Sequence, residues 1–507
     1  MSNEQGRNAP RRNEQGRQRN RGGNAPRRFS AAAPSGRKRA ADPARLTAFE
    51  VLRAVSADDA YANLVLPARI RAHRLGPRDA GFATELAYGA LRGQGLYDAV
   101  LSRCVDRALG RLDAAVLDVL RLGAHQLLAM RVPSHAALDE TVALTRAEIG
   151  AGPSGLVNAV LRKVSARTLS EWTEELTAGV ADDTARASLR HSHPEWIVRA
   201  LRQALVAHGR GTDELEQLLA ADNAAPIVNL VALPGIGDLA PVVERGARAG
   251  ELVEGSALYD GGDPARLPGV AEGAVRVQDA GSQLVARALA DHPLEGRDER
   301  WLDLCAGPGG KAALLAARAA QRGARLTANE VAPHRAQLVR NALAAVPGTV
   351  WEVEVGDGRR YAESADGYDR IMLDAPCSGL GALRRRPESR WRKQPADIPE
   401  LTALQQELVD AAVAALRPGG LLAYVTCSPH PAETTAVVLD TLSRHPGIRL
   451  LDSGAALDAA ALHPVAAAAP VLGRRGEPLP GATTAQLWPH RHATDAMFFA
   501  LLQRAAD

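Results

Sequence analysis

Two short segments bring reactive side chains to the ends of apolar runs. They are Asp374-Ala375-Pro376-Cys377-Ser378-Gly379 and Thr426-Cys427-Ser428-Pro429. Ile371, Met372 and Leu373 precede the first; Leu421, Leu422, Ala423, Tyr424 and Val425 precede the second. Runs like these read as parallel strands buried on both faces, and open α/β sheets bind ligands beyond the carboxyl ends of such strands. The chain has four cysteines, Cys104, Cys305, Cys377 and Cys427. Two of them at strand ends point to thiol chemistry, because cysteine is nucleophilic even when only partly ionised. Taken singly, each reads equally well as an ordinary buried cysteine. The weight therefore falls on what surrounds them.

A glycine-rich loop, Cys305-Ala306-Gly307-Pro308-Gly309-Gly310-Lys311, follows an earlier strand candidate and opens a helical pattern. Its glycines allow a tight turn and close backbone approach to a ligand. It is not a phosphate loop: Ala306 stands where the first glycine belongs, and Ala312 follows the lysine. Glu330 ends the next strand candidate, where an acidic residue suits the two hydroxyls of a ribose. Asp357 ends the one after, placed to accept from an adenine amino group. Each acid alone reads as a solvated loop or helix cap, and Lys311 alone as a structural contact. Together, three successive strand ends describe a nucleoside site without a phosphate-binding element, which favours S-adenosylmethionine over a nucleotide.

The elements that must position these residues alternate from about residue 277 onward. Strand candidates are 301–305, 325–329, 351–355, 370–374, 421–426 and 497–502, mostly separated by helical stretches, the signature of a doubly wound α/β (Rossmann-like) sheet. Residues 44–168 read as all-helical: Val116, Leu120, Gly123 and Leu127 share one helical face, and Leu156, Val160 and Val164 another. Residues 169–275 read as a small α+β module with a helix around 196–205 and a strand at 227–232. The domains expected are thus a tail at 1–43, a helical domain at 44–168, the α+β module at 169–275 and the α/β domain at 276–507.

A chain of 507 residues exceeds one ordinary core. No apolar run approaches the roughly 20 residues of a membrane span, no secretory signal is visible, and four cysteines in this length make no disulfide framework. No Cys/His cluster supports a metal site. A reducing cytoplasm is the expected setting, and a monomer the expected state. Ten Arg and one Lys against two Glu give residues 1–40 a net charge of +9, so the remainder carries −6 of the total of +3. That tail repeats Asn-Glu-Gln-Gly-Arg and Asn-Ala-Pro-Arg-Arg, is too polar to bury a core, and reads as disordered. Its arginines either attract phosphates or are merely solvated. Arg384, Arg385 and Arg386, then Arg390-Trp391-Arg392-Lys393, follow Cys377 and read as a basic, aromatic-interleaved loop for an RNA strand. The other reading of that loop is a solvated basic surface.

The segment Val277-Gln278-Asp279-Ala280-Gly281-Ser282-Gln283-Leu284, the 305–311 loop and the two cysteine motifs resemble the Nop2/Sun family of RNA (cytosine-5)-methyltransferases. Residues 44–168 resemble the NusB RNA-binding fold, on Gly123-Ala124-His125-Gln126-Leu127-Leu128, Val132-Pro133-Ser134-His135-Ala136 and Gly155-Leu156-Val157-Asn158-Ala159-Val160-Leu161-Arg162. The fusion resembles the bacterial small-subunit ribosomal RNA methyltransferases, and the likeness spans nearly everything beyond residue 43. It implies a class I S-adenosylmethionine-dependent methyltransferase domain acting on 16S ribosomal RNA. It implies Cys427 as the nucleophile that bonds C6 of a flipped cytosine, Cys377 as the group that helps release product, and Asp374 as a contact to the base edge. The cofactor positions it implies are 305–311, Glu330, Asp357 and Asp374. Ala312, Glu330, Glu433-Thr434 and Ala496-Met497 depart from the family's commoner residues, and none removes a reacting atom.

Three other functions compete: an RNA-binding or antitermination factor with a vestigial methyltransferase domain, a cytosine methyltransferase of another RNA or of DNA through Cys377, and an amino-group methyltransferase. Intact cysteine motifs oppose the first. The Thr-Cys motif opposes the DNA enzyme, and Cys377, where an aromatic would have to stack the base, opposes the last.

Overall fold

The computed structural model describes residues 41–364, 367–472 and 477–506. The repeats and charge of the Arg-rich tail fall at 1–40, outside the described residues. Seven α-helices follow in sequence: Pro43–Ala57, Ala62–Ala72, Pro77–Arg92, Gln94–Cys104, Ala114–Leu128, Ser134–Glu148 and Ser154–Val164. Asp42 and Asp113 cap two of them, accepting from Arg45 N at 2.9 Å and Ala115 N at 2.8 Å, which satisfies amide groups that have no partner inside the helix. Val116 and Leu120 enter the helical core with Val160 and Val164, while Leu127 and Leu156 pack at its margin.

Four more helices, Leu169–Thr177, Asp183–His191, Glu195–Ala207 and Leu215–Asp222, lead to a small antiparallel sheet. Its strands are β1 (Val228–Ala232), β2 (Arg248–Ala249), β3 (Ser256–Tyr259) and β4 (Val275–Val277), in the order β2-β3-β1-β4. Leu230 pairs with Val277 across β1 and β4, so β4 lies across the boundary expected at 275/276. Val-Arg-Val carries no turn residue to mark a boundary there.

The large sheet contains β5 (Arg300–Asp303), β6 (Arg325–Glu330), β7 (Trp351–Val355), β8 (Tyr368–Asp374), β9 (Leu416–Thr426), β10 (Ile448–Leu450), β11 (Ala468–Leu472), β12 (Pro478–Gln486) and β13 (Phe498–Arg504). The order is β11-β12-β13-β9-β8-β5-β6-β7, with β10 also on β13. Strands β5 to β9 run parallel, and β13 runs antiparallel to β9. Alternate residues feed opposite faces. Trp301, Met372, Ala423 and Val425 pack under the helices Ala280–Asp291 and Gly310–Arg322. Leu302, Ile371, Leu373, Leu422 and Tyr424 pack under Asp397–Ala415 and Thr435–Arg444. Chain order reverses between β5 and β8, which puts a ligand crevice at their carboxyl ends.

In the large sheet all six strand candidates form. β9 starts earlier than expected, at Leu416, and β10, β11 and β12 escaped the sequence pattern there. Of these β11 is an edge strand holding Pro470, a position where proline breaks no ladder. Ala, Pro and Gly dilute the alternation in β11 and β12.

The arginines after Cys377 correct the reading of an RNA-facing loop. Arg390 is fully buried. Its guanidinium donates to the carbonyls of Arg92 (3.2 Å), Ser192 (3.2 Å) and Asp222 (2.8 Å) and to Asn223 Oδ1 (2.7 Å). Arg392 donates to Val55 O and Ala60 O, at 2.9 and 2.7 Å. Arg384 donates to Ala493 O at 3.0 Å, and Arg385 pairs with buried Asp495. The indole of Trp391 lies against Gly95. The basic run therefore docks the loop on the helical regions and the C-terminal strands. Arg386, beside the Tyr61 ring, and Lys393 keep partial exposure.

Breaking a buried charged contact by removing one partner costs about 3–5 kcal/mol. Arg390→Ala is expected to lower the thermal unfolding midpoint and to expose the junction to proteolysis. Arg390→Lys, which lacks the planar fork, should recover only part of the loss. An Arg390→Ala protein that unfolds like the wild type would refute this role.

Candidate active site

The parallel strands deliver their end residues to one crevice. Asp303 ends β5, Glu330 ends β6, Asp374 ends β8, and Cys427 follows β9 directly. Cys377 lies three residues past β8. Its sulfur is 3.4 Å from that of Cys427, and both cysteines keep partial exposure.

The two cysteine loops are bound to each other by backbone and side chain. Ala375 N donates to Val425 O and Gly381 N to Cys427 O, each at 2.9 Å. A Cβ on Gly381 would lie 2.2 Å from Ala496 O, so only glycine permits this approach. Glu433 is completely buried between the loops. Its carboxylate accepts from Ser378 N (2.7 Å), Ser378 Oγ (2.5 Å) and Ser428 Oγ (2.7 Å). Gln405 Nε2 donates to Pro376 O at 2.8 Å and reaches Glu433 Oε1 at 3.3 Å. Tyr424 OH donates to Glu433 O at 2.7 Å.

The thiols are electrically unequal. The hydrogen bond between them holds the Cys427 thiol below the ordinary range, against burial and Asp374, with help from Lys311 and Arg386. The same contact, then burial and the charges of Cys427, Glu433 and Asp374, holds Cys377 well above that range. Of the two, Cys427 is therefore the thiol that ionises more readily, and Cys377 the one that keeps its proton. Lys311, in the first turn of Gly310–Arg322, donates to Asp374 Oδ2 at 2.9 Å. Burial opposes its charge, but Asp374, Cys427 and Asp303 outweigh it, so its pKa is raised.

The glycine-rich loop folds over β5 and β6. Ala306 N donates to Asn329 O at 2.8 Å, and Gly309 N to Ala306 O at 2.7 Å. Glu330 Oε2 accepts from Gly307 N at 3.1 Å, and Oε1 accepts from Ala332 N at 3.0 Å and pairs with Arg335 Nη1 at 3.5 Å, which leaves Oε2 a further lone pair. A Cβ on Gly307 would sit 2.1 Å from Glu330 Oε2. Pro308 is exposed at the loop's tip. Burial, then nearby carboxylates, push the Cys305 thiol up, and its side chain packs against the core that holds Leu304 and Leu373. Asp357 reaches its expected strand end, but its carboxylate accepts from Arg359 N at 2.9 Å and pairs with the Arg359 guanidinium.

Several residues here were not singled out in the sequence. Asp303 is 1% exposed, and both of its carboxylate oxygens lack a side-chain partner. Burial, then the charge of Asp374, pushes it up to about 8. The buried amide of Gln278 is likewise unpartnered, facing Gly310. Ser378, Ser428 and Glu433 stand in segments quoted above but carry no assigned role there, and Gln405 is not among the sequence candidates. One available signal was the repeated Cys-Ser pair, since a hydroxyl after each cysteine needs a shared acceptor. Asp303 and Gln278, buried without a side-chain partner, with a cradle that a Cβ would fill at Gly307, fit a cationic ligand bearing hydroxyl groups.

Residues 291–503 match the family described as 16S rRNA methyltransferase RsmB/F, and residues 42–166 match the NusB family. The Mycobacterium tuberculosis protein Rv1407 is 48% identical over 92% of this chain and 98% of its own length. The ribosomal RNA small subunit methyltransferase B of Pseudomonas putida is 35% identical, with 80% of this chain and 91% of that protein aligned. Among solved structures, PH0851 superposes with a TM-score of 0.73 at 22% identity, covering 92% of this chain and all of that one; the likeness is one of fold. Identity of this extent, over both the helical and the α/β regions, establishes that the chain belongs to the RsmB/F family of 16S rRNA methyltransferases.

Proposed function

We propose that this chain transfers a methyl group from S-adenosylmethionine to C5 of a cytosine in small-subunit ribosomal RNA, through a covalent bond between Cys427 and C6. The observation that carries this reading is the pair of touching, unequal thiols beside the Lys311–Asp374 ion pair. Relatives named as small-subunit ribosomal RNA methyltransferases support the substrate class.

Cytosine C5 is too weak a nucleophile to be methylated directly. The base must first leave its stack to reach a pocket of this kind. Asp374, held by Lys311, accepts from the edge of the base and orients it. The Cys427 thiolate then adds to C6, and the displaced electron pair makes C5 nucleophilic. When bound, the cofactor supplies an electrophilic methyl group at that carbon. Glu330 and the 305–311 loop would hold its nucleoside, Asp357 its adenine, and Asp303 and Gln278 its charged end. Once the Cys427 lone pair lies in the C–S bond, the charge that kept the Cys377 proton is gone. Cys377 then loses that proton to solvent and takes the C5 proton. The C6–S bond breaks, and its electron pair returns to Cys427.

Cys427→Ala is expected to abolish methylation. Cys377→Ala is expected to transfer the methyl group but to accumulate protein cross-linked to RNA on denaturing gels. Labelled cofactor with small-subunit RNA, other RNA and duplex DNA separates the substrate classes, and full activity of Cys427→Ala would overturn the nucleophile.

Asp303 yields a pH prediction. Its raised pKa makes it mostly neutral below about 8 in the free protein. A cationic cofactor favours the ionised form, so binding should release a proton below that pH and tighten as pH rises towards 8. Calorimetry in buffers of different ionisation enthalpy reads this, and Asp303→Asn should remove both effects. Proton-neutral binding at pH 7 would contradict it.

A further inference from the structure

Glu433 touches neither the crevice nor a reacting atom, yet every polar atom of its carboxylate is engaged between the two cysteine loops. Its two oxygens meet the backbone N–H of Ser378, the hydroxyls of Ser378 and Ser428, and the Gln405 amide. The two hydroxyl oxygens are themselves 3.0 Å apart. Ser378 follows Cys377 and Ser428 follows Cys427, so one carboxylate grips the residue next to each sulfur. The short turn Pro431–Glu433 that carries it is fixed in turn: His430 N donates to Ser428 Oγ at 3.2 Å, and the buried His208 ring contacts Pro429 O at 3.1 Å.

We propose that Glu433 is a positioning residue that sets the separation of the two sulfurs through Ser378 and Ser428, and that it governs release of the methylated base more than formation of the covalent bond. This rests on the covalent reading above. The two cysteines are held by different means. Cys427 directly follows a central strand whose last residue, Thr426, pairs with Phe498. Its backbone is therefore placed by the sheet, whatever happens at Glu433. Cys377 lies beyond the end of β8, on a loop held near its sulfur by the Ser378 contacts and by Gly381. Loosening Glu433 moves Cys377 relative to Cys427 and leaves the attacking sulfur in place. A buried carboxylate is the suitable clamp because charge-assisted hydrogen bonds are about twice as strong as neutral ones, and it can accept from several donors at once.

The test uses the full-length protein with labelled cofactor and small-subunit RNA. Glu433→Gln keeps the volume but gives up the charge. It is expected to slow product release by about tenfold or more, the effect of losing one hydrogen bond to a charged group. Single-turnover methyl transfer should slow less than release, and the KM for cofactor should stay close to wild type, so a protein–RNA adduct accumulates as in Cys377→Ala. The paired change Ser378→Ala with Ser428→Ala removes both hydroxyls, leaves the carboxylate, and should accumulate adduct in the same way. Thermal unfolding and cofactor binding verify that each variant is folded. If Glu433→Gln does not fold, the double serine variant decides. Wild-type release in the folded variants, with adduct still trapped by Cys377→Ala, overturns the role of Glu433. A uniform loss of methyl transfer and release together also overturns it, because that is what a merely structural role produces. Absence of adduct in Cys377→Ala itself is the separate failure of the covalent reading.

Discussion

The guanidinium of Arg390 is the contact on which the joint between the helical regions and the α/β domain depends. Arg92 and Asp222 are the last residues of their helices, and Ser192 caps a third. Helix C-termini leave carbonyls without intrahelical partners and carry partial negative charge. Three such ends meet at one site, and a planar cation with five donors answers all three. Burial lowers the pKa of Arg390 to about 10, still far enough above neutrality to keep the charge. Asp222 is pushed up by burial to about 7, with Arg390 opposing. An arginine in so dry a place is costly, and the cost is offset only while all three helix ends stay together.

This joint bears on the thiols because Arg390 and Cys377 belong to one connection. The chain leaves β8, passes Cys377 and Ser378, and stacks Gly381 on the backbone of Cys427. It then sends Arg384 and Arg385 to Ala493 O and Asp495 beside the last strands before Arg390 enters the helical junction. A loop pinned at so many points has little freedom to place its cysteine elsewhere. The helical region is thus part of what positions Cys377, in addition to any contact it makes with RNA. Arg386 belongs to the same arrangement: it lies beside the ring of Tyr61, from the helical region, and its charge favours the ionised form of Cys427.

The sheet was legible because strands buried on both faces leave dense apolar runs, and because the residues that follow them are chemically conspicuous. Cys377, Cys427, Glu330 and Asp374 all gather at strand ends that the pattern located. The strands β11 and β12 were not legible, since Ala, Pro and Gly there carry no alternation. The basic loop was misread for a physical reason. Sequence shows that an arginine is charged but not what it faces, and backbone carbonyls at helix ends leave no mark in composition. Glu433 was equally silent. A buried carboxylate looks like a solvated one until its donors are seen, and these come from residues fifty-five and five positions away.

Two identical side chains in contact cannot both ionise, and so their surroundings must choose. Lys311 and Arg386 act on Cys427, while Glu433 and Asp374 act on Cys377. Each cation that favours the Cys427 thiolate comes from a different element: one from the helix after the glycine-rich loop, the other from the docked basic loop. The carboxylate that disfavours ionisation of Cys377 is the same one that fixes its loop. Geometry and charge are therefore set by the same residues. Sequence order alone, with Cys377 first and Cys427 second, carries no trace of that choice; it exists only once the strands have brought fifty residues of separation down to a single hydrogen bond.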